Sequence, residues 1–170
     1  MKYGIAIFPP KKIQDVANSY RKRYDPHYAL IPPHITLKEP FEAEDNEIKE
    51  MVPYLKEIAK ETQPFEIDIN KVSSFTPITN TIYLKIEPDD TIMALNEKLY
   101  ADHLPGEQEH SFVPHITIAQ KLSDDEYSDV YGTLRMKGFD LKETVDRFQL
   151  LYQLDNGSWT VYETFVFGEG

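Results

Sequence analysis

Pro33-His34-Ile35-Thr36-Leu37 and Pro114-His115-Ile116-Thr117-Ile118 follow one pattern, with four residues identical and the fifth aliphatic in both. The spacing within each copy implies a local geometry. Side chains alternate along a strand, so His-x-Thr puts an imidazole and a hydroxyl on one face. Ile35 and Leu37, or Ile116 and Ile118, then turn to the other face, toward a core. A proline just ahead of each histidine suits a strand's first residue, where a missing amide costs least. Carried further, the alternation predicts Lys38 on the His34 face and Lys121 on the His115 face.

Outward from the two motifs, each is preceded by a helix candidate. Tyr3 to Phe8 reads as a strand closed by Pro9-Pro10, and Ile13 to Arg23 as a helix with Ile13, Val16, Ala17 and Tyr20 at helical spacing. His34 to Lys38 is a short strand, and Asp45 to Lys60 a helix with Ile48, Val52 and Leu55 on one stripe. Pro53 falls inside that helix and predicts a kink or a broken first turn. Phe65 to Phe75 and Thr81 to Glu87 predict a hairpin, because β-branched and aromatic runs flank Thr76-Pro77-Ile78-Thr79-Asn80. Thr91 to His103 predicts a helix, His115 to Ala119 a strand and Asp124 to Met136 a helix that Gly132 could shorten. Phe139 to Leu154 and Trp159 to Phe167 predict a closing hairpin around Asp155-Asn156-Gly157, a turn signal. The expectation is an α+β fold over residues 1–170. It has two pseudo-symmetric lobes, antiparallel sheets with outer helices, around a central cleft.

Composition bounds what such a fold could do. The chain has 170 residues, 41% hydrophobic and 12% aromatic, enough apolar surface to offset chain entropy in one domain. A formal net charge of -11 disfavours tight binding to a long nucleic acid, while leaving room for a small anion in a local pocket. Cysteine is absent, which excludes disulfides, thiolate metal sites and thiol nucleophiles, and agrees with a cytoplasmic protein. No apolar run is long enough for a signal peptide or a membrane span.

Two His-Thr faces brought together would supply an acid, a base and two phosphate donors. Phosphodiester cleavage needs that set. The attacking oxygen loses a proton, the leaving oxygen gains one from the opposite side, and hydroxyls bind the non-bridging oxygens. Neither a metal nor another cofactor is required. His103, His110 and His115 do not have the spacing of a metal site. His27 and His103 read as exposed residues of a loop or helix end. Lys38 is a candidate for neutralising phosphate charge, and Phe8, Tyr83 and Tyr152 are candidates for the substrate's wall or for stacking on a base.

These two His-x-Thr motifs flanked by hydrophobics resemble the signature of the two-histidine (2H) phosphoesterases, the superfamily of the LigT-like bacterial RNA 2′,5′-ligases and cyclic nucleotide phosphodiesterases. Motif placement, length and Lys2-Tyr3-Gly4-Ile5-Ala6-Ile7-Phe8 look most like the YjcG-like phosphoesterases of Gram-positive bacteria. The resemblance implies a bilobal α+β fold, catalysis by His34 and His115, and phosphate binding by Thr36 and Thr117. It implies a small nucleotide or an RNA end as substrate, cyclic or 2′,5′-linked. The competing expectation is a module that holds a phosphorylated ligand or RNA terminus without chemistry.

Overall fold

The computed structural model describes residues 1–168. Its first half runs β1 (Lys2–Ile7), α1 (Lys11–Tyr24), β2 (Ile35–Glu42), α2 (Asp45–Glu61), β3 (Phe65–Ser74) and β4 (Ile82–Ile86). The second half runs α3 (Asp90–Leu99), β5 (His115–Ala119), α4 (Asp124–Leu134), β6 (Leu141–Val145), β7 (Arg147–Gln153) and β8 (Trp159–Val166). The strands form two antiparallel sheets ordered β2-β1-β7-β8 and β5-β4-β3-β6. Aligning the orders matches β2 with β5 and β1 with β4, so each His-x-Thr strand is the edge of its own sheet. The expected α+β architecture of paired antiparallel sheets and outer helices is what is found.

The pseudo-symmetry extends to the helices. α1 follows a strand of the first sheet yet packs against β5 of the second, and α3 follows a strand of the second sheet yet packs against β2 of the first. The apolar stripe of each helix therefore covers the opposite motif strand. Ile13 and Ala17 of α1, and Ile92, Leu95 and Leu99 of α3, are buried in one cluster with Ile35, Leu37, Ile116 and Ile118. The starts of α3 and α4 are satisfied by side chains. Asp89 Oδ1 accepts from the amides of Thr91 (2.8 Å) and Ile92 (3.3 Å), and Ser123 Oγ accepts from the Glu126 amide at 3.1 Å.

Four expectations need correction. α2 runs unbroken through Pro53, which lies on the exposed face, where water can satisfy the Lys49 carbonyl left without a donor. α3 stops at Leu99, short of His103, and the chain beyond it lies against β2, with Tyr100 Oη accepting from the Glu39 amide at 2.8 Å and Gly106 set against Lys38 and Phe41. The segment read as one strand from Phe139 to Leu154 is two, separated at Asp146: Val145 pairs with Phe65 in one sheet and Arg147 with Val166 in the other. The β6–β7 segment is a link between the sheets. Finally, β5 ends at Ala119, and Lys121 adopts φ 58° on the exposed surface, so the alternation does not carry it onto the His115 face. The Asp155-Asn156-Gly157 turn is present, with Gly157 at φ 89° and the Leu154 amide donating to Ser158 O at 2.7 Å.

Candidate active site

Each motif is built the same way. Ile35, Ile116 and Ile118 are fully buried and Leu37 nearly so, which fixes the alternation and turns His34, Thr36, His115 and Thr117 away from the core. In the first motif the imidazole Nδ1 lies 2.9 Å from Pro32 O, and in the second it lies 2.6 Å from Val113 O. A carbonyl can only accept, so Nδ1 carries the hydrogen in both rings. Nε2 is then the basic nitrogen of each neutral imidazole, the atom free to exchange a proton.

The electrostatics favour the neutral form of both rings. Burial pushes His34 down to about 4; its hydrogen bond to Pro32 opposes this, while the charges of Arg21 and His115 push further down. Burial also lowers His115, against the opposing hydrogen bond to Val113. The two motifs come together because β2 and β5 are in contact, and Thr117 of the second lines the same hollow as His34 of the first. An anion between them would reverse the balance and favour uptake of a proton by either ring.

Two hollows meet at the motifs, and Thr36 lines both. One, of about 620 Å³, reaches His115, Phe75, Asn96, Tyr100 and the 108–113 loop. The other, of about 280 Å³, takes in His34, Thr117, His27, Gln120, Leu151 and Trp159. Among the described residues, neither the Thr36 nor the Thr117 hydroxyl has a hydrogen-bond partner, so both are available to a ligand. No group of three or more His, Asp or Glu side chains suited to a metal occurs among the described residues.

The other candidates separate. Tyr83 sits behind the site: it is 6% exposed, with its ring centroid 5.0 Å from that of His115 and 4.4 Å from that of Phe75. Lys38, expected on the His34 face to neutralise phosphate charge, has its ammonium turned to another partner. It is 1% exposed, and although it contributes to the wall of the smaller hollow its ammonium donates to Leu99 O at the C-terminus of α3. The ammonium also stands 4.9 Å from the Tyr100 ring centroid and 5.2 Å from that of Phe41. The reason is a bulge: Ile5 pairs with Lys38 but Ala6 with Thr36, so Leu37 is an extra residue and the alternation fails one step after the motif. Tyr152 belongs to the opposite face of its sheet, against Tyr3 and Tyr162, and Phe8 lines neither hollow. Neither is placed to stack on a substrate there.

Sequence reasoning missed what holds the loop ahead of His34. Arg21, 2% exposed, donates to Asp25 Oδ2 (3.2 Å), Asn18 Oδ1 (2.8 Å) and Ile31 O (2.7 Å). The signal was present, since Ile13, Ala17, Arg21 and Asp25 repeat every fourth residue and so share the buried stripe. His27, read as an exposed loop residue, is half-buried and lines the smaller hollow. Trp159 was legible only as a strand start.

Comparison with known proteins gives the family and the fold. Residues 9–157 match the family described as the 2'-5' RNA ligase superfamily. A Bacillus pumilus protein named "putative phosphoesterase" is 64% identical over 169 residues, covering 99% of both chains. One from Bacillus licheniformis of the same designation is 60% identical over 168 residues, again 99% of each. Among solved structures, Escherichia coli LigT complexed with 3'-AMP is similar at TM-score 0.75 and 16% identity, with 99% of this chain and 98% of that one covered. TT0787 of Thermus thermophilus has a TM-score of 0.74 at 21% identity, with the same coverage. Those two likenesses concern the fold.

Proposed function

Since the chain belongs to the 2'-5' RNA ligase superfamily and has close relatives named as phosphoesterases, we propose that it cleaves, or reversibly forms, cyclic or 2′,5′-linked phosphodiesters of small nucleotides or RNA ends. His34 and His115 act as the acid-base pair. The observation that carries this reading is the matched tautomer: two imidazoles, each with Nδ1–H tied to the carbonyl two residues back, each leaving Nε2 for the cleft. One Nε2 takes the proton of the attacking water or hydroxyl as the new P–O bond forms. The other, protonated, gives its proton to the departing oxygen as the old bond breaks. The hydroxyls of Thr36 and Thr117 donate to the non-bridging oxygens, where charge accumulates. The balance needs no cofactor or metal.

Charge favours a small substrate. Glu39 and Glu109 line the larger hollow, and with Glu107 they border a further one, so a long polyanion would meet carboxylates beyond the reacting phosphate. That LigT is known complexed with 3'-AMP agrees with a nucleotide-sized ligand. The test is a screen of 2′,3′-cyclic mononucleotides and 2′,5′-linked dinucleotides with the wild type beside a His34→Ala/His115→Ala variant. Turnover confined to the wild type is expected. Binding without turnover of any of them would leave only a module that holds phosphorylated ligands.

A further inference from the structure

The smaller hollow holds a third imidazole that two-histidine chemistry does not use. Its protonation pattern follows from its neighbours. Buried Asp25 accepts through Oδ2 from Arg21 Nε, and through Oδ1 from the His27 amide and from Gln120 Nε2, both at 2.9 Å. A carboxylate there can only accept, so the end of Gln120 that faces it must be the amide nitrogen. That nitrogen also lies 3.1 Å from His27 Nδ1, and its second hydrogen points there. Nδ1 of His27 is therefore the lone-pair atom, and the hydrogen of the neutral ring sits on Nε2. This is the reverse of His34 and His115. Among the described residues His27 Nε2 has no partner.

The hollow beside it has room for a flat group, for a reason the pseudo-symmetry exposes. Opposite Thr117 the neighbouring strand places Tyr83; opposite Thr36 it places Ala6. Where one sheet fills the space behind its motif with a ring, the other leaves it open. Gly4 continues the opening, since a Cβ there would stand 3.7 Å from the Trp159 ring. Leu151 and Trp159 complete an apolar wall.

From these observations we infer that the His34 side of the cleft is a nucleoside subsite. The sugar or base packs on the Gly4, Ala6, Leu151 and Trp159 wall and accepts a hydrogen bond from His27 Nε2–H. The inference rests on the phosphoesterase reading and adds to it which side of the phosphorus carries the nucleoside and which residue reads it. Gln120 acts at one remove, by fixing the His27 tautomer through the buried Arg21–Asp25 pair. The volume, about 280 Å³, suits one nucleoside and not a stretch of polymer.

Calorimetric titration of the full chain with adenosine and cytidine 2′- and 3′-monophosphates, and separately with inorganic phosphate, tests it. His27→Ala should weaken the nucleotides roughly tenfold, the value of one lost hydrogen bond, and leave phosphate within about twofold. His27→Gln, which can present an amide donor near the same place, should recover much of the loss. Unchanged nucleotide affinity in His27→Ala overturns the inference, as does equal weakening of nucleotide and phosphate, which would mark a structural role. A wild type that binds nucleotides no more tightly than phosphate overturns it while leaving the phosphoesterase reading intact. A wild type that binds neither and turns over no diester overturns both. Should His27→Ala fail to fold, imidazole nitrogen NMR of the wild type decides. An Nε2–H tautomer at His27 whose proton signal moves with nucleotide but not with phosphate is expected, and an Nδ1–H tautomer contradicts it.

Discussion

Three of the histidines that line the two hollows, His27, His34 and His115, have their tautomers set by a neighbouring group. At His34 and His115 the fixed Nδ1–H bond spends one nitrogen on orientation and leaves the other basic; at His27 the order is inverted. Because both members of the pair lie below their ordinary value of 6.5 in the free protein, the pH dependence has a definite sign. In the proposed mechanism the productive free enzyme has one ring neutral and one protonated. Activity is lost in acid when the base protonates, and lost in alkali when the acid deprotonates. Both limbs of kcat/KM should therefore fall below pH 6.5, with the kcat profile moved upward by the bound anion. A pH series of initial rates checks this, and a flat profile, or an alkaline limb of kcat/KM above pH 6.5, would count against it. The threonines give a second expectation at this scale. Thr36→Val and Thr117→Val keep β-branching and shape but remove a donor, so each should lower kcat/KM roughly tenfold to a hundredfold with an unchanged Tm. Wild-type kinetics in both would take the hydroxyls out of the site. The motif residues were legible because their spacing alone dictates a shared face; Lys38 was misread because one bulge residue, Leu37, cannot be seen in an alternation pattern.

Among the elements, α1 matters most to the site, because Arg21 in its last turn and Asp25 just past its end form the pair that anchors the loop leading into His34. Arg21→Met leaves a buried carboxylate with its counter-charge removed, and should cost roughly 3–5 kcal/mol of stability. The double variant Arg21→Met/Asp25→Leu should recover part of that. Denaturant titration of the three proteins measures both; a double variant less stable than Arg21→Met would show that the pair contributes through something other than charge compensation. The helices and most strands could be read from periodicity, and the boundaries moved where tertiary contacts intervene. The split at Asp146 had no such signal: apolar residues continue on both sides, and only the transfer from one sheet to the other breaks the strand. The sequence likewise shows that α1 exists but not which sheet it covers.

At the scale of the molecule, the fold is a device for placing two copies of one short strand across a cleft. The crossing of α1 and α3 onto the opposite sheets ties the halves together, so neither motif is held by its own half alone. The net charge of -11 and the glutamates around the larger hollow restrict what can approach. The proposed chemistry uses only side chains, so turnover should persist after exhaustive chelation; loss on chelation with rescue by a divalent ion would sink the metal-free mechanism. The central claim is that His34 and His115 act together on one phosphorus, and it is tested most directly by one set of rates. These are kcat/KM for a single 2′,3′-cyclic nucleotide with the wild type, His34→Gln, His115→Gln and the double variant. If the pair is a unit, each single change removes most of the activity and the double variant is scarcely worse than either. Losses that multiply in the double variant would show two independent contributions and contradict the account.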